Sequence, residues 1–326
     1  MTALLLIGSV GARAATIKIA TIAPDGFAWM IELRNAGKQI EAATQSRVKL
    51  KFYPGGVMGD DFAVLRKMRV GQLQGAMVTT AVFNKIFTDV QLYNLPMQFR
   101  GLDEVDYVRK RLDPILMAGL EENGFVTLGL VEVGMAYAMS KQRTSSVAGI
   151  GRLKVWTPQG DPAMTRAIQA FDISPIPLTI ADVLTGLQTG LIDTVATPPV
   201  ATIALQWHTR LDYILDLPLL YVYGLMVIDK KPFSRLTAAD QATVREVMSA
   251  AIARADVRSR NDHAAAWQVL QDQGLELVKP SPQEIADWQR HADLASQQWV
   301  EDGIVSQDLY QTLNAHLAEF RSRLAN

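Results

Sequence analysis

The chain has 326 residues, 49% hydrophobic and 20% charged, with 32 Lys and Arg against 33 Asp and Glu. Its length suggests two domains, and its composition supports a sizeable core and excludes intrinsic disorder. The near-neutral balance lacks the basic footprint of a nucleic-acid binder, so no nucleic-acid partner is expected. With no cysteine, a disulfide scaffold, a thiolate metal site and a thiol nucleophile are all excluded.

The first segment, Met1 to Gly11, is a short apolar run followed by Ala12-Arg13-Ala14. Small residues at the −3 and −1 positions make a signal-peptide cleavage pattern, although no Lys or Arg precedes the run. Residues 1–14 are therefore expected to be removed and the mature protein exported. No other segment reaches the ~18 apolar residues of a membrane span.

Thr16 to Ile22 reads as a strand, and Ala23-Pro24-Asp25-Gly26 turns into a helix from Phe27 to about Thr44. Met30, Leu33, Ala36, Ile40 and Ala43 keep the helical period there. Val48 to Tyr53 alternates as a strand ended by Pro54-Gly55-Gly56, Phe62 to Val70 is helical, and Gly75 to Val78 is a short buried strand. The rhythm predicts an α/β protein with a parallel sheet flanked by helices. It recurs from Leu153: a strand to Pro158, a helix capped by Asp161 with Pro162 first, and a clipped strand at Pro175-Ile176-Pro177. A short helix opened by Thr179 to Asp182 and ended by Gly190 follows, then a strand from Leu191 to Ala196 halted by Pro198-Pro199. The last third is helical. Thr237 to Gln273 holds no Pro or Gly and could reach about 50 Å, enough to brace two domains. Ser281-Pro282-Gln283-Glu284 starts a helix to about Val300, and Val305 to Leu324 forms the last.

Catalytic and metal patterns are missing. His208, His263, His291 and His316 have no ligand partner at helical spacing, and there is no HExxH, GxSxG, phosphate loop or dinucleotide fingerprint. The neighbours Asp60-Asp61 and Glu121-Glu122 read as solvated helix ends rather than a glycosidase pair. The expectation is a protein without metal or cofactor that is not an enzyme.

Four segments together carry a resemblance. They are Ile19 to Trp29; Gly55 to Asp61 with Val64 to Leu73, close to G-x-x-G-[DE]-x-x-x-L-R with one residue more before Leu65-Arg66; Asn94-Leu95-Pro96-Met97-Gln98-Phe99-Arg100; and Gly186 to Asp193, close to A-L-Q-x-G-x-[IV]-D. In this order they resemble the substrate-binding subunits of tripartite ATP-independent periplasmic (TRAP) transporters, with Asp61 where that family more often has Glu. The resemblance implies a two-lobed α/β periplasmic-binding-protein fold (Venus flytrap) that closes over a small molecule and delivers it to TRAP membrane permease subunits. It implies crossings at Phe125 to Met139 and Leu215 to Ile228, and a long C-terminal helix bracing both lobes. Lobe 1 would comprise residues 15–131 and about 222–260; lobe 2 would comprise 132–221 and about 261–326.

Departures from the family pattern bear on the ligand. Trp156 in Lys154-Val155-Trp156-Thr157-Pro158 stands where the family carries a carboxylate-binding arginine, Ala136 follows Gly134-Met135 where a second is common, and Thr197 precedes Pro198 in place of Asn. Without the guanidinium fork the pocket loses its carboxylate geometry and gains an apolar face. The expected ligand is apolar or amphipathic; a carboxylate would need another donor, for which Lys154 and Arg166 are near in sequence. Candidate lining residues are Phe27, Trp29, Thr79 and Phe83 from the first lobe. Tyr137, Trp156, Gln159, Thr197, Pro198 and Trp207 would face them, with Tyr221 at the return crossing. Two other roles remain open on the same sequence: a ligand-sensing or lipid-carrying module without a permease, and an α/β enzyme in which Asp193 is essential.

Overall fold

The computed structural model describes residues 14–25 and 28–324. The expected signal segment, Ala14 apart, and Phe27 lie outside them.

β1 (Ala15–Thr21), α1 (Ala28–Ala43), β2 (Val48–Tyr53), α2 (Asp61–Arg69) and β3 (Gly75–Thr79) follow the predicted order. β1 pairs in parallel with both β2 and β3. Met30, Leu33, Ala36 and Ile40 of α1 are buried against Ile17 and Ile19 of β1, as their spacing requires, whereas Ala43 is exposed. Short 3-10 turns at Thr80–Phe83 and Thr88–Asn94 lead to α3 (Leu102–Glu122).

β4 (Phe125–Ser140) is 16 residues long. After it come α4 (Val147–Ile150), β5 (Trp156–Pro158), α5 (Pro162–Gln169), β6 (Ile176–Leu178), α6 (Val183–Thr189), β7 (Thr194–Thr197) and α7 (Pro199–Ala204). β8 (Tyr213–Asp229), 17 residues long, runs back antiparallel to β4 along nearly its whole length. α8 (Lys230–Phe233), α9 (Ala238–Asp272), β9 (Glu276–Val278), α10 (Pro282–Glu301) and α11 (Gln307–Leu324) complete the chain.

The main sheet has the order β2-β1-β3-β8-β4-β7, with β9 beside the start of β8. It is mixed rather than all parallel. β8 enters from the far half of the molecule and so meets β3 antiparallel, and β4 meets β7 antiparallel. The β4–β8 ribbon is common to both halves: its Phe125/Asp229 end joins β3, and its Ser140/Tyr213 end joins β7 and β9. β5 and β6 form a parallel pair that reaches β7 through the Val155–Thr194 bridge. Residues Leu191–Asp193 lie outside β7, which begins at Thr194, three residues later than the sequence suggests.

α9 runs for 35 residues, about 52 Å at the helical rise. Its first half packs Met248, Ile252 and Ala255 with α1 and β1, and Leu270 packs with Trp207 and Leu187 of the other half. The last helices divide. α10 sits on α4 and α5, while α11 packs Leu313 and Leu317 with Leu112, Leu116 and Leu120 of α3. Residues 307–324 thus pack with the half containing β1, not with the half in which the sequence division of 261–326 had put them. The reason is the apolar stripe of α3, which needs a cover.

Candidate functional site

The carboxyl ends of β1, β3, β5, β6 and β7 converge on one cleft, as the ends of open α/β sheets do. Its volume is about 1020 Å³, and it is lined from one side by Thr21, Trp29, Asp61 and Met77–Thr79, and from the other by Trp156, Pro158, Asp161, Leu178 and Thr197. The two sides touch at its mouth. The Phe62 ring lies where a Cβ on Gly160 would stand, and Asn84 Nδ2 donates to Asp161 Oδ1 at 3.3 Å.

Of the predicted lining residues, Trp29, Thr79, Trp156, Gln159, Thr197, Pro198, Trp207 and Tyr221 stand on the cleft wall. Phe83 does not. It is fully buried and packs edge-on against Phe125, with ring centroids 5.1 Å apart. Tyr137 does not either: its ring turns to Trp267 of α9, 4.7 Å away.

Trp156 is buried and its indole N–H donates to the Leu178 carbonyl at 3.0 Å. Its donor is therefore used within the β5–β6 unit, and it offers the cleft only carbon. Its ring meets Trp207 edge-on at 5.3 Å. Tyr221 likewise presents its ring alone, because its hydroxyl bonds Arg109 Nη1 at 3.0 Å and Glu132 Oε2 at 3.2 Å. The two candidate replacement cations are elsewhere. Lys154 Nζ donates to the Gly190 carbonyl, and Arg166 pairs with Asp302; neither lines the cleft. Asp193 accepts from the Lys154 N–H at 2.8 Å and the Thr194 hydroxyl at 3.0 Å; Thr194 lines the cleft and Asp193 does not.

The acidic side chains hold what the sequence reading missed. At Asp60-Asp61 the first residue caps α2, accepting from the Ala63 N–H at 2.7 Å. The second is buried rather than solvated, at 6% exposure. Asp61 Oδ2 accepts from the N–H and hydroxyl of Thr79 at 2.8 and 2.9 Å, tying α2 to the end of β3, while Oδ1 has no hydrogen-bond partner. Burial pushes its carboxyl up to about 6; the Thr79 bonds oppose the rise and the Asp60 charge adds to it. The signal was in the doubled Asp: one residue suffices for the cap. Asp161 caps α5 through the Met164 N–H and also faces the cleft, with burial raising its carboxyl against the bonds from Met164 and Asn84. Behind Trp156 the cavity continues between Ile150, Phe171, Ile173 and Trp288. Among the described residues no Lys, Arg or His lines the cleft, and no group of three His, Asp or Glu could hold a metal ion.

Several known proteins share this build. An uncharacterized protein of Haemophilus influenzae is 25% identical over 246 residues, covering 72% of each chain. The 2,3-diketo-L-gulonate-binding periplasmic protein of Escherichia coli is 28% identical over 159 residues, 47% of each chain. The crystal structure of a TRAP periplasmic solute binding protein from Haemophilus influenzae with bound L-gulonate superposes with a TM-score of 0.86, covering 92% of this chain and 99% of that one at 17% identity. The model of the bacterial extracellular solute-binding proteins, family 7 (DctP), matches residues 19–303. The chain belongs to this family of bacterial extracellular solute-binding proteins, a non-enzymatic binding family.

Proposed function

We propose that the protein is the receptor of a TRAP-type transporter for an apolar or amphipathic small molecule, which it encloses between its two halves and delivers to membrane permease subunits. Export with cleavage near Ala14 belongs to the same reading. The halves would be residues 15–131 with about 222–260, and 132–221 with about 261–306; α11 would join the first. The observation that carries the reading is the chemistry of the wall. Trp29, Trp156, Trp207, Tyr221 and the aliphatic residues around them line a cleft with no cationic side chain among the described residues, and the Trp156 and Tyr221 polar atoms are already bonded. Such a surface favours burial of apolar area, at roughly 25 cal/mol per Å². Trp156, at the position where the resemblance expects arginine, supports the same conclusion.

The test is displacement of a neutral apolar fluorophore, N-phenylnaphthylamine, from the purified protein. The fluorophore should bind saturably, and L-gulonate, the ligand of the similar Haemophilus structure, should fail to displace it. Displacement by L-gulonate at lower concentrations than by apolar competitors would reject the reading.

A further inference from the structure

In the half that contains β7 the cleft wall divides into two apolar arms. Trp156, Leu178, Leu184 and Trp207 line the first and pack as one cluster. Ala138, Ile150, Val155, Phe171, Ile173 and Trp288 line the second and belong to a separate cluster. Val155 and Trp156 are consecutive in extended chain, so their side chains leave on opposite sides, one to each arm. The second arm is internal to one half. Its residues come from β4, α4, α10 and the chain between α4 and β6, so its space does not depend on how far apart the two halves stand. Each of the six is less than a tenth exposed. The one polar side-chain atom among them, the Trp288 indole nitrogen, donates to the Ser145 carbonyl at 2.8 Å. Phe171 and Trp288 pack together in the wall with ring centroids 5.6 Å apart. Protein interiors are otherwise close-packed. An arm walled by such side chains offers water or the hydroxyls of a polyol little to bond, and apolar matter fills space of this kind. The whole cavity, about 1020 Å³, reaches the upper end of the range that holds a drug-sized ligand.

We propose that the ligand is a chain-bearing amphiphile whose apolar chain enters the second arm and lies against Trp288. This deepens the receptor reading above and rests on it. The polar head stays between the halves, where Thr79, Asn94, Gln159 and Thr197 stand on the wall. The first arm, at Trp156 and Trp207, takes the part of the molecule next to the head. Each methylene placed in the second arm contributes up to about 0.8 kcal/mol, so chain length becomes a determinant of affinity.

The probe is a decanol carrying bromine at the far end of its chain, titrated into the full protein while tryptophan emission is followed. Bromine quenches an indole only on contact, and Trp288 is the one tryptophan among the six residues of the second arm. Saturable quenching is expected in the wild type. Trp288→Phe should lose most of it, and Trp207→Phe far less. Quenching that survives in Trp288→Phe places the chain elsewhere and overturns the proposal, while the apolar receptor stands. Binding of N-phenylnaphthylamine without binding of the bromodecanol does the same. Failure of both to bind rejects both readings at once. A second variant covers the case in which Trp288→Phe does not fold. Ala138→Ile narrows the arm from β4 and should reduce the preference for decanol over butanol, read by displacement of N-phenylnaphthylamine, about tenfold; an unchanged preference overturns the proposal.

Discussion

Asp61 illustrates how a single buried side chain can be costly to the fold. Its carboxyl titrates at about 6 in the folded protein against 3.8 for an ordinary aspartate, chiefly because burial disfavours the charge. Between these values the folded state binds more protons than the unfolded one, so stability falls as pH rises from about 4 to 6 and the penalty is complete above it. Asp61→Asn should therefore stabilise the ligand-free protein at neutral pH by on the order of 1–3 kcal/mol, raising its Tm, and flatten the gain in stability on acidification. Thermal melts of both proteins across this range check it; a lower Tm in the variant at neutral pH would mean the charge is compensated. Glu132 presents the opposite case. Its side chain is fully buried, yet Arg260 reaches it with Nε at 2.9 Å and Nη2 at 2.8 Å while also gripping Asp106. Arg260→Leu strands that carboxylate and should cost about 3–5 kcal/mol in urea unfolding; a loss below about 1 kcal/mol would show the pair to be solvated. Eight of the eleven candidate residues line the cavity. Residue identity could not foretell which polar atoms were spoken for: the Trp156 N–H and the Tyr221 hydroxyl are bonded by partners 22 and 112 residues away in sequence.

At the scale of elements, the β4–β8 ribbon is the part that positions the cleft. Its register shifts at Thr127/Gly129, Glu132/Gly134, Ala136/Tyr137 and Tyr137/Met139, so the two strands bend and twist as they pass between the halves. Gly134 sits at φ +122°, and a Cβ there would collide with the His263 ring of α9. Both facts require glycine, and they let the long helix lie close on the crossing strand, where the His263 Nε2 meets the Val133 carbonyl. Gly134→Ala should destabilise the protein by about 2 kcal/mol or more, visible as a lower urea midpoint; an unchanged midpoint would mean that α9 can shift aside. α9 was legible because its signal is local, a long stretch without Pro or Gly, whereas the crossing strands were expected only from the family resemblance. α3 was not assigned, for Pro114 stands within it and argues locally against a helix. Tertiary packing of Leu112, Leu116 and Leu120 under α11 overrides that preference. The mixed sheet was equally hidden, because strand direction depends on where β8 enters rather than on its own residues.

For the whole molecule, the halves are joined by β4, β8 and α9 and meet again at the mouth through Phe62 against Gly160 and Asn84 against Asp161. In the receptor proposed above, these contacts would bias the molecule towards a closed form, and the three crossings would set the axis about which it opens. Removing the mouth contacts with Phe62→Ala and Asn84→Ala should enlarge the ligand-free protein in small-angle scattering and weaken N-phenylnaphthylamine roughly 3- to 30-fold, with little change in unfolding free energy. Unchanged scattering and affinity would indicate that the crossings alone hold the halves together. The two-lobed plan was readable from four ordered sequence segments, but the destination of α11 was not: a helix at the chain end can return to either half, and only the uncovered face of α3 decides.

The tryptophans around the cleft have an optical consequence. Four of the six in the chain, Trp29, Trp156, Trp207 and Trp288, line the cavity, and Trp156 and Trp207 stand 5.3 Å apart at an interplanar angle of 75°. Chromophores so close and so steeply inclined couple their strong far-ultraviolet transitions, and a signed dichroism couplet is expected there that simple solvent exposure does not produce. The protein thus carries its own occupancy gauge: a molecule lodging beside the pair will alter the couplet and the intrinsic emission together, with no label attached, and Trp207→Phe will remove the couplet while leaving most of the emission in place.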